Sequence, residues 1–165
     1  MTRRENQRGL RPLAGATLAI GALMVTGTAG AVAHATQRDQ QRATFASTED
    51  NATASSGGNL VHAFRVGAGG ALTSIGSFPT GGDGTGGGLG SQGAVTLADN
   101  GHALLAVNAA SNTVTLFRVA DDGALAWLDS ASSAGTDPTS VTAHGDLVEV
   151  LNAGSNTVAG LERSD

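Results

Sequence analysis

Four histidines are the side chains best suited to acid–base or metal chemistry in this 165-residue chain. His144 stands beside Gly145 and Asp146, and a histidine next to an acid can act as a general base. The same short sequence is typical of a turn in which the imidazole bonds local backbone, and we favour that interpretation. His102 lies in the matching turn one repeat earlier and His62 lies on a strand, so both are predicted to be structural. No two histidines have metal-ligand spacing and cysteine is absent, so we predict no metal site and no disulfide.

The glycine-rich segment TGGDGTGGGLG is a second place where chemistry could reside. Its Gly82, Gly84 and Gly87 fit the spacing of a dinucleotide-binding fingerprint, but no helix is predicted after them, so we predict no cofactor. Successive backbone N–H groups could also form an anion-binding nest, and Asp83 could bind calcium. A flexible connecting loop is the interpretation we favour.

An internal repeat organises the chain around these residues. VNAASNTV at residues 107–114 returns as LNAGSNTV at residues 151–158, a spacing of 44 residues. NLVHAFRV at residues 59–66 matches residues 112–119 of the same unit. Repeats of roughly 40–50 residues built from short strands are typical of propeller blades. Asx turns are predicted at the matching turn positions of the repeats, Asn108, Asn112, Asn152 and Asn156.

The strand pattern predicts an all-β fold, a partial β-propeller with about two blades of four-stranded antiparallel sheet in residues 59–165. Four short apolar or alternating segments follow one another between residues 93 and 130. Residues 138–161 repeat the first three of them, so the last blade is expected to lack its fourth strand. A ring needs roughly four to eight blades. We therefore expect an N-terminal, truncated portion of a longer protein, with open strand edges through which copies can self-associate.

Residues 1–35 have the features of an export signal. Arginines precede an apolar run from Leu13 to Val32, predicted to form a signal helix, and Ala33-His34-Ala35 is a small-x-small cleavage site. We expect cleavage after Ala35 and a secreted, extracellular protein, with an uncleaved membrane anchor as the alternative. Residues 36–58 are polar and turn-rich and are interpreted as a disordered linker or as degraded first strands.

The charge of the chain excludes two classes of partner. Cleavage would leave five arginines, no lysine and thirteen acidic residues, a net charge of −8. Nucleic-acid binding needs a basic patch and stacking aromatic residues, and anionic membranes also attract basic surfaces. We predict no nucleic-acid partner, membrane contact only through an uncleaved signal, and an unidentified small molecule or protein as ligand.

The segments GGGLGSQGA (86–94), AVNA (106–109), VTAHGDLV (141–148) and VLNAG (150–154) resemble the lactonase-family seven-bladed β-propellers. This family includes 6-phosphogluconolactonase-like and carboxymuconate-cyclase-like proteins, and the resemblance is to its secreted actinobacterial branch. The resemblance implies a lactone-hydrolysing site with a Pro-His-x-His motif before the strand that begins at residue 94. This chain has Gly-Ser-Gln-Gly there.

The other family positions also differ. Thr139 and Ser140 follow the proline where the family has Arg-His, and Ala153 replaces its glutamate. The catalytic residues are therefore unknown and enzymatic activity is uncertain.

Two functions remain open from the sequence. The first is an exported, non-catalytic binding or scaffold module, or a truncated fragment, because the acid–base residues are missing. The alternative is a lactonase-type hydrolase acting on a sugar or muconate lactone. The family geometry implies that Ser91 and Gln92 face the central channel, so they are predicted as ligand contacts, with His144 as a further candidate.

Overall fold

A computed structural model describes residues 9–12, 44–91 and 93–164. The described residues form eleven strands: β1 (Gly9–Pro12), β2 (Thr44–Glu49), β3 (Leu60–Val66), β4 (Leu72–Pro79), β5 (Val95–Ala98), β6 (Ala103–Asn108), β7 (Thr113–Val119), β8 (Leu125–Ser132), β9 (Pro138–His144), β10 (Leu147–Asn152) and β11 (Thr157–Ser164). Their only helical turns are short 3-10 segments at Ala54–Ser56, Ala68–Gly70 and Asp99–Gly101. No helix within the described ranges is long and apolar enough to span a bilayer.

The middle sheet is a four-stranded antiparallel meander in the order β5-β6-β7-β8. Every residue of β6 is buried, as its continuous apolar sequence predicts. Leu104 and Ala106 face the first sheet, while Leu105 and Val107 face the third. Both faces of one blade are thus covered by its neighbours. Burial of each leucine contributes about 1.5–3 kcal/mol, so the stacking of blades is the main source of stability.

The third sheet has the order β1-β11-β10-β9, which corrects the expectation that this blade lacks a fourth strand. β1 pairs antiparallel with β11, Gly9 opposite Ser164 and Pro12 opposite Leu161. Leu10 is buried and its N–H donates to Asp129 Oδ2 at 2.7 Å. The sequence did not reveal this strand because four residues are too few to show a periodicity.

The first sheet contains three strands in the order β2-β3-β4. The repeat aligns β3 with β7, so β2 and β4 correspond to β6 and β8. Among the described residues, no strand here corresponds to β5 or β9. β2 lies within residues 36–58, where a linker or degraded strands was expected. The signal helix, the cleavage site and residues 36–43 lie outside the described residues.

Buried asparagines join neighbouring sheets at one end of the strands. Asn59 Nδ2 donates to Val107 O at 2.9 Å and to Asn108 Oδ1 at 3.0 Å, and Asn108 Nδ2 donates to Thr115 Oγ1 at 2.9 Å. In the next sheet Asn152 Nδ2 donates to Ser133 O at 3.0 Å. Asn108 and Asn152 are therefore links between blades rather than turn residues. The turn positions belong to Asn112 and Asn156, whose φ angles are 56° and 53°.

Candidate functional site

A cleft of about 370 Å³ lies between the end of β2 and the segment that leads into β5. We call it the Glu49 cleft. Its polar lining includes Ser47, Glu49, Asp50 and Ser91, and its apolar lining includes Leu89. The cleft therefore joins residues of the first sheet to residues of the second, through a region that the sequence suggested was a linker.

Asn51 fixes the glycine-rich loop that forms one wall of this cleft. Its Nδ2 donates to Gly87 O at 2.7 Å and to Thr85 Oγ1 at 2.8 Å, and its Oδ1 accepts from Thr85 N at 3.0 Å. Gly84 N donates to Ala52 O at 2.7 Å and Gly86 N donates to Asn51 O at 2.8 Å. The loop has no regular secondary structure, as predicted, but these bonds hold it against β2.

Asp83 is held on the other side of the same loop. Its N–H donates to Ser111 Oγ at 2.7 Å, and its carbonyl accepts from the N–H groups of Ala110 and Ser111. Within the described ranges no group of three or more histidine or acidic side chains could hold a metal ion. The loop thus spans the first and second sheets and positions the residues before β5.

Glu49 is the most perturbed ionisable group of the cleft. Burial raises the pKa of its carboxyl from 4.5 to about 7, and the charge of Asp50 adds to this, although a hydrogen bond from Asn59 Nδ2 (3.5 Å) opposes it. Its Oε1 is buried and has no hydrogen-bond partner among the described residues. A carboxyl group with these properties can exchange a proton near neutral pH.

Asp50 is adjacent in sequence and behaves in the opposite way. Burial alone would raise the pKa of this carboxyl, but the N–H groups of Leu60 and Ala52 and the imidazole of His62 together lower it. His62 Nε2 lies 3.3 Å from Asp50 Oδ2, and its Nδ1 lies 2.8 Å from Ser77 Oγ. His62 is thus half-buried and bonded to two side chains, and the pKa values of the two neighbouring carboxyls of the cleft are shifted in opposite directions.

Ser91 connects the second sheet to the third. Its Oγ lies 2.8 Å from Ser140 Oγ and accepts from Gly93 N at 3.1 Å. Val141 N donates to Gly93 O at 2.8 Å, which continues the connection along β9. The hydroxyl of Ser91 lines the Glu49 cleft, but it is already hydrogen bonded.

The three residues predicted from the sequence are not brought together. Gln92 lies outside the described residues. His144 is exposed at the far end of β9, four residues from Ser140, which corresponds to about 13 Å along a strand. Only Ser91 therefore lies at the cleft, and His144 is the last residue of β9, before the turn that leads to β10.

Glu49 and Asp50 were missed from the sequence because their segment has no repeat partner that is easy to align. The alternation in TFASTE at residues 44–49 was the available signal for a strand. A strand that ends in Glu-Asp-Asn before a turn places carboxyl groups at a sheet end. Burial, which shifts the pKa of Glu49, comes from the neighbouring blade and is not encoded locally.

Replacing Glu49 by glutamine is expected to change how stability depends on pH. Because the folded-state pKa is raised, the contribution of the neutral carboxyl is fully present below about pH 4.5 and is lost as the pH rises through 7. We expect Glu49→Gln to be more stable than the wild type at pH 8 by about 1–2 kcal/mol, after allowing for solvent screening, and nearly equal at pH 5. Urea denaturation at both pH values measures this.

Glu149→Gln is the matched control, because Glu149 is an exposed glutamate on β10. It should leave the pH dependence of unfolding unchanged. Identical pH profiles for the wild type and Glu49→Gln would show that Glu49 is not perturbed.

Comparison with known proteins gives one family match. A family model described as Lactonase, 7-bladed beta-propeller matches residues 57–165. No curated protein matches significantly. A crystal structure of a protein from Lactobacillus plantarum is similar at 22% identity and a TM-score of 0.52, over 61% of this chain and 30% of that one. The periplasmic gluconolactonase PpgL of Pseudomonas aeruginosa is similar at 21% identity and a TM-score of 0.47, over 64% of this chain and 35% of that one. The chain thus spans about a third of the length of these structures.

Proposed function

Because the chain belongs to the lactonase family of seven-bladed β-propellers, we propose that it is an exported binding module for a small, uncharged, polyhydroxylated molecule such as a sugar lactone. The ligand class follows the family, and the Glu49 cleft is the proposed place of binding. Export rests on the composition of residues 1–35.

The chemistry of the cleft supports an uncharged ligand. Its lining contains two carboxyls, several hydroxyls and the Asn51 amide, and none of its described lining residues is arginine, lysine or histidine. Carboxylates accept hydrogen bonds from sugar hydroxyls, and hydroxyls both accept and donate them. Leu89 and Val95 offer an apolar surface for the carbon skeleton. An anionic ligand would meet the negative charge of Asp50 with no compensating cation.

The same lining argues against hydrolysis. Cleavage of a lactone needs a general base and donors for the oxyanion that develops in the transition state. Ser91 is engaged with Ser140, His144 lies at the other end of β9, and no cationic side chain is among the described residues that line the cleft. The observation that carries the non-catalytic proposal is that none of the described residues lining the cleft is cationic or carries an imidazole, since His62 is bonded to Asp50 and Ser77 outside the lining.

Lactone hydrolysis is the second candidate, and the pKa of Glu49, about 7, favours it. A general base is most effective when its pKa lies near the working pH. Glu49 would take a proton from water as the water oxygen adds to the lactone carbonyl. The ring C–O bond would then break, and the proton would pass to the ring oxygen, giving a hydroxy acid.

A pH-stat assay of the full chain on a panel of sugar and muconate lactones separates the two candidates. We expect hydrolysis no faster than the spontaneous rate, with saturable binding of D-glucitol, a stable polyol, detected by saturation-transfer NMR. Hydrolysis more than tenfold above background would overturn the non-catalytic proposal if Glu49→Gln abolishes it and Glu149→Gln does not. Absence of glucitol binding together with absence of hydrolysis would contradict both candidates.

A further inference from the structure

A second cleft, of about 330 Å³, lies at the opposite end of the strands from the Glu49 cleft. We call it the arginine cleft. Its charged walls are Arg118 at the end of β7, Arg163 at the end of β11, and Asp99 and His102 in the turn between β5 and β6. Of the three arginines whose side chains are described, two line this one space. Such a concentration is unusual for a chain whose net charge is −5.

Arg163 is held in this cleft without a full set of acceptors. Its side chain is only 13% exposed, and its Nε is buried with no hydrogen-bond partner among the described residues. Its ion-pair partner is Asp146, whose Oδ1 lies 3.7 Å from Arg163 Nη2 and whose side chain is 65% exposed. That contact is too long for a good hydrogen bond. A buried guanidinium N–H without an acceptor is costly, so an acceptor supplied by a ligand would relieve it.

Arg118 provides further donors, whereas the imidazole of His102 offers an acceptor nitrogen. Arg118 is exposed and makes no hydrogen bond or ion pair within the described part of the chain. His102 Nδ1 lies 2.9 Å from Asp99 O and donates to it, which leaves Nε2 without a protein partner there. Asp99 is the one carboxyl among the described lining residues, and Asp146 lies outside the lining, so the cleft itself presents two guanidinium groups and one carboxylate.

The remaining described walls of the cleft are apolar apart from Ser164. Leu116, Leu128 and Val119 lie beside the arginines. The volume also exceeds what a bare oxyanion needs, since a single water occupies about 30 Å³ in the liquid. The site thus combines two guanidinium groups with space and contact surface for a carbon skeleton.

We propose that the arginine cleft binds a small monoanionic organic acid, whose carboxylate accepts hydrogen bonds from Arg118 and Arg163 and whose carbon skeleton packs against Leu116 and Leu128. Guanidinium groups match the geometry of a carboxylate. Asp99 disfavours a second negative charge, which selects monoanions over dicarboxylates. This site is separate from the Glu49 cleft and does not depend on the ligand proposed there.

The test compares three probes on the full chain by NMR: sodium butyrate, n-butanol and inorganic phosphate. We expect butyrate to bind saturably, to shift the Arg163 Nε–Hε resonance, and to weaken with increasing salt. Butanol, which has the same carbon skeleton without the charge, and phosphate, which has charge without the skeleton, should each bind at least tenfold more weakly. Arg118→Gln should raise the dissociation constant for butyrate at least fivefold.

Arg65→Gln is the matched control, because Arg65 is an exposed arginine that stacks 5.3 Å from the Phe45 ring in the first sheet. It should leave butyrate binding unchanged. Arg163→Gln provides a second variant, but the exposed Arg118 keeps the test valid if that variant fails to fold.

Equal binding of butanol and butyrate would overturn the proposal, because the site would then bind as an apolar groove and the carboxylate would contribute nothing to affinity. Tighter binding of phosphate would overturn the assignment to organic acids. Absence of binding by all three probes would also overturn the proposal.

Discussion

Replacing Gly84 by alanine is expected to lower the free energy of unfolding by about 3 kcal/mol or more. Gly84 is buried, and a Cβ atom there would overlap the carbonyl carbon and oxygen of Asn51. Neither partner can move easily, because Gly84 N is bonded to Ala52 O and the preceding Asp83 is bonded to Ser111. The clash is therefore between two fixed backbones rather than with a flexible side chain.

Gly88→Ala in the same loop is the matched control. Nothing lies within 4 Å of a Cβ at Gly88, and its φ is not in the left-handed region. Alanine lowers the entropy of the unfolded chain equally at both positions, so Gly88→Ala should be neutral or stabilising by up to about 1 kcal/mol. Urea denaturation of the wild type and the two variants measures the difference. Similar midpoints for both variants would show that the loop is free to move away from Asn51.

Glycines also allow close approach between neighbouring blades. A Cβ at Gly82 would lie 2.6 Å from Asn108 Cγ, and a Cβ at Gly135 would lie 2.5 Å from Asn152 Cγ. In each case a glycine before one blade allows close approach of a buried asparagine. The sequence showed glycine abundance and predicted flexibility, because the reason for each glycine is a contact with a residue distant in sequence.

The middle sheet could be predicted from the sequence because its information is local. The continuous apolar run in β6 and the alternation in β7 indicate strand type and burial without reference to other segments. The repeat then extends the same prediction to β9, β10 and β11. The strands at the blade edges could not be predicted. A strand that has no matching repeat in the sequence is located only by its hydrogen-bonded pairing with a neighbouring strand.

The candidate site was predicted much less well for a related physical reason. Ser91 was found because a family motif aligned with it. Glu49 acquires its raised pKa from burial by a neighbouring blade, and Arg163 is placed beside Arg118 only when the third sheet stacks on the second. Stacking is a property of the whole fold, and the sequence pattern of one strand does not report it.

Removing residues 1–35 is expected to destabilise the protein and to make it associate. This deletion is the change that signal cleavage after Ala35 would produce, and it removes β1 from the outer edge of β11. Loss of the buried Leu10 side chain should cost about 1.5–3 kcal/mol, and loss of the strand pairing adds to this. An open edge presents unpaired backbone groups to another chain. Sedimentation velocity over a range of concentrations, with urea denaturation, compares the full chain with the chain that begins at Thr36.

Leu10→Asp in the full chain separates the loss of β1 from the loss of the rest of the segment. It should reproduce most of the destabilisation, because the aspartate would replace a buried leucine beside Asp129. Leu72→Asp is its control, since Leu72 on β4 is 58% exposed and should tolerate the charge. If the truncated chain remains monomeric and as stable as the full chain, β1 does not protect the edge of β11. If only the truncated chain associates, cleavage of the signal would itself expose the surface through which copies assemble.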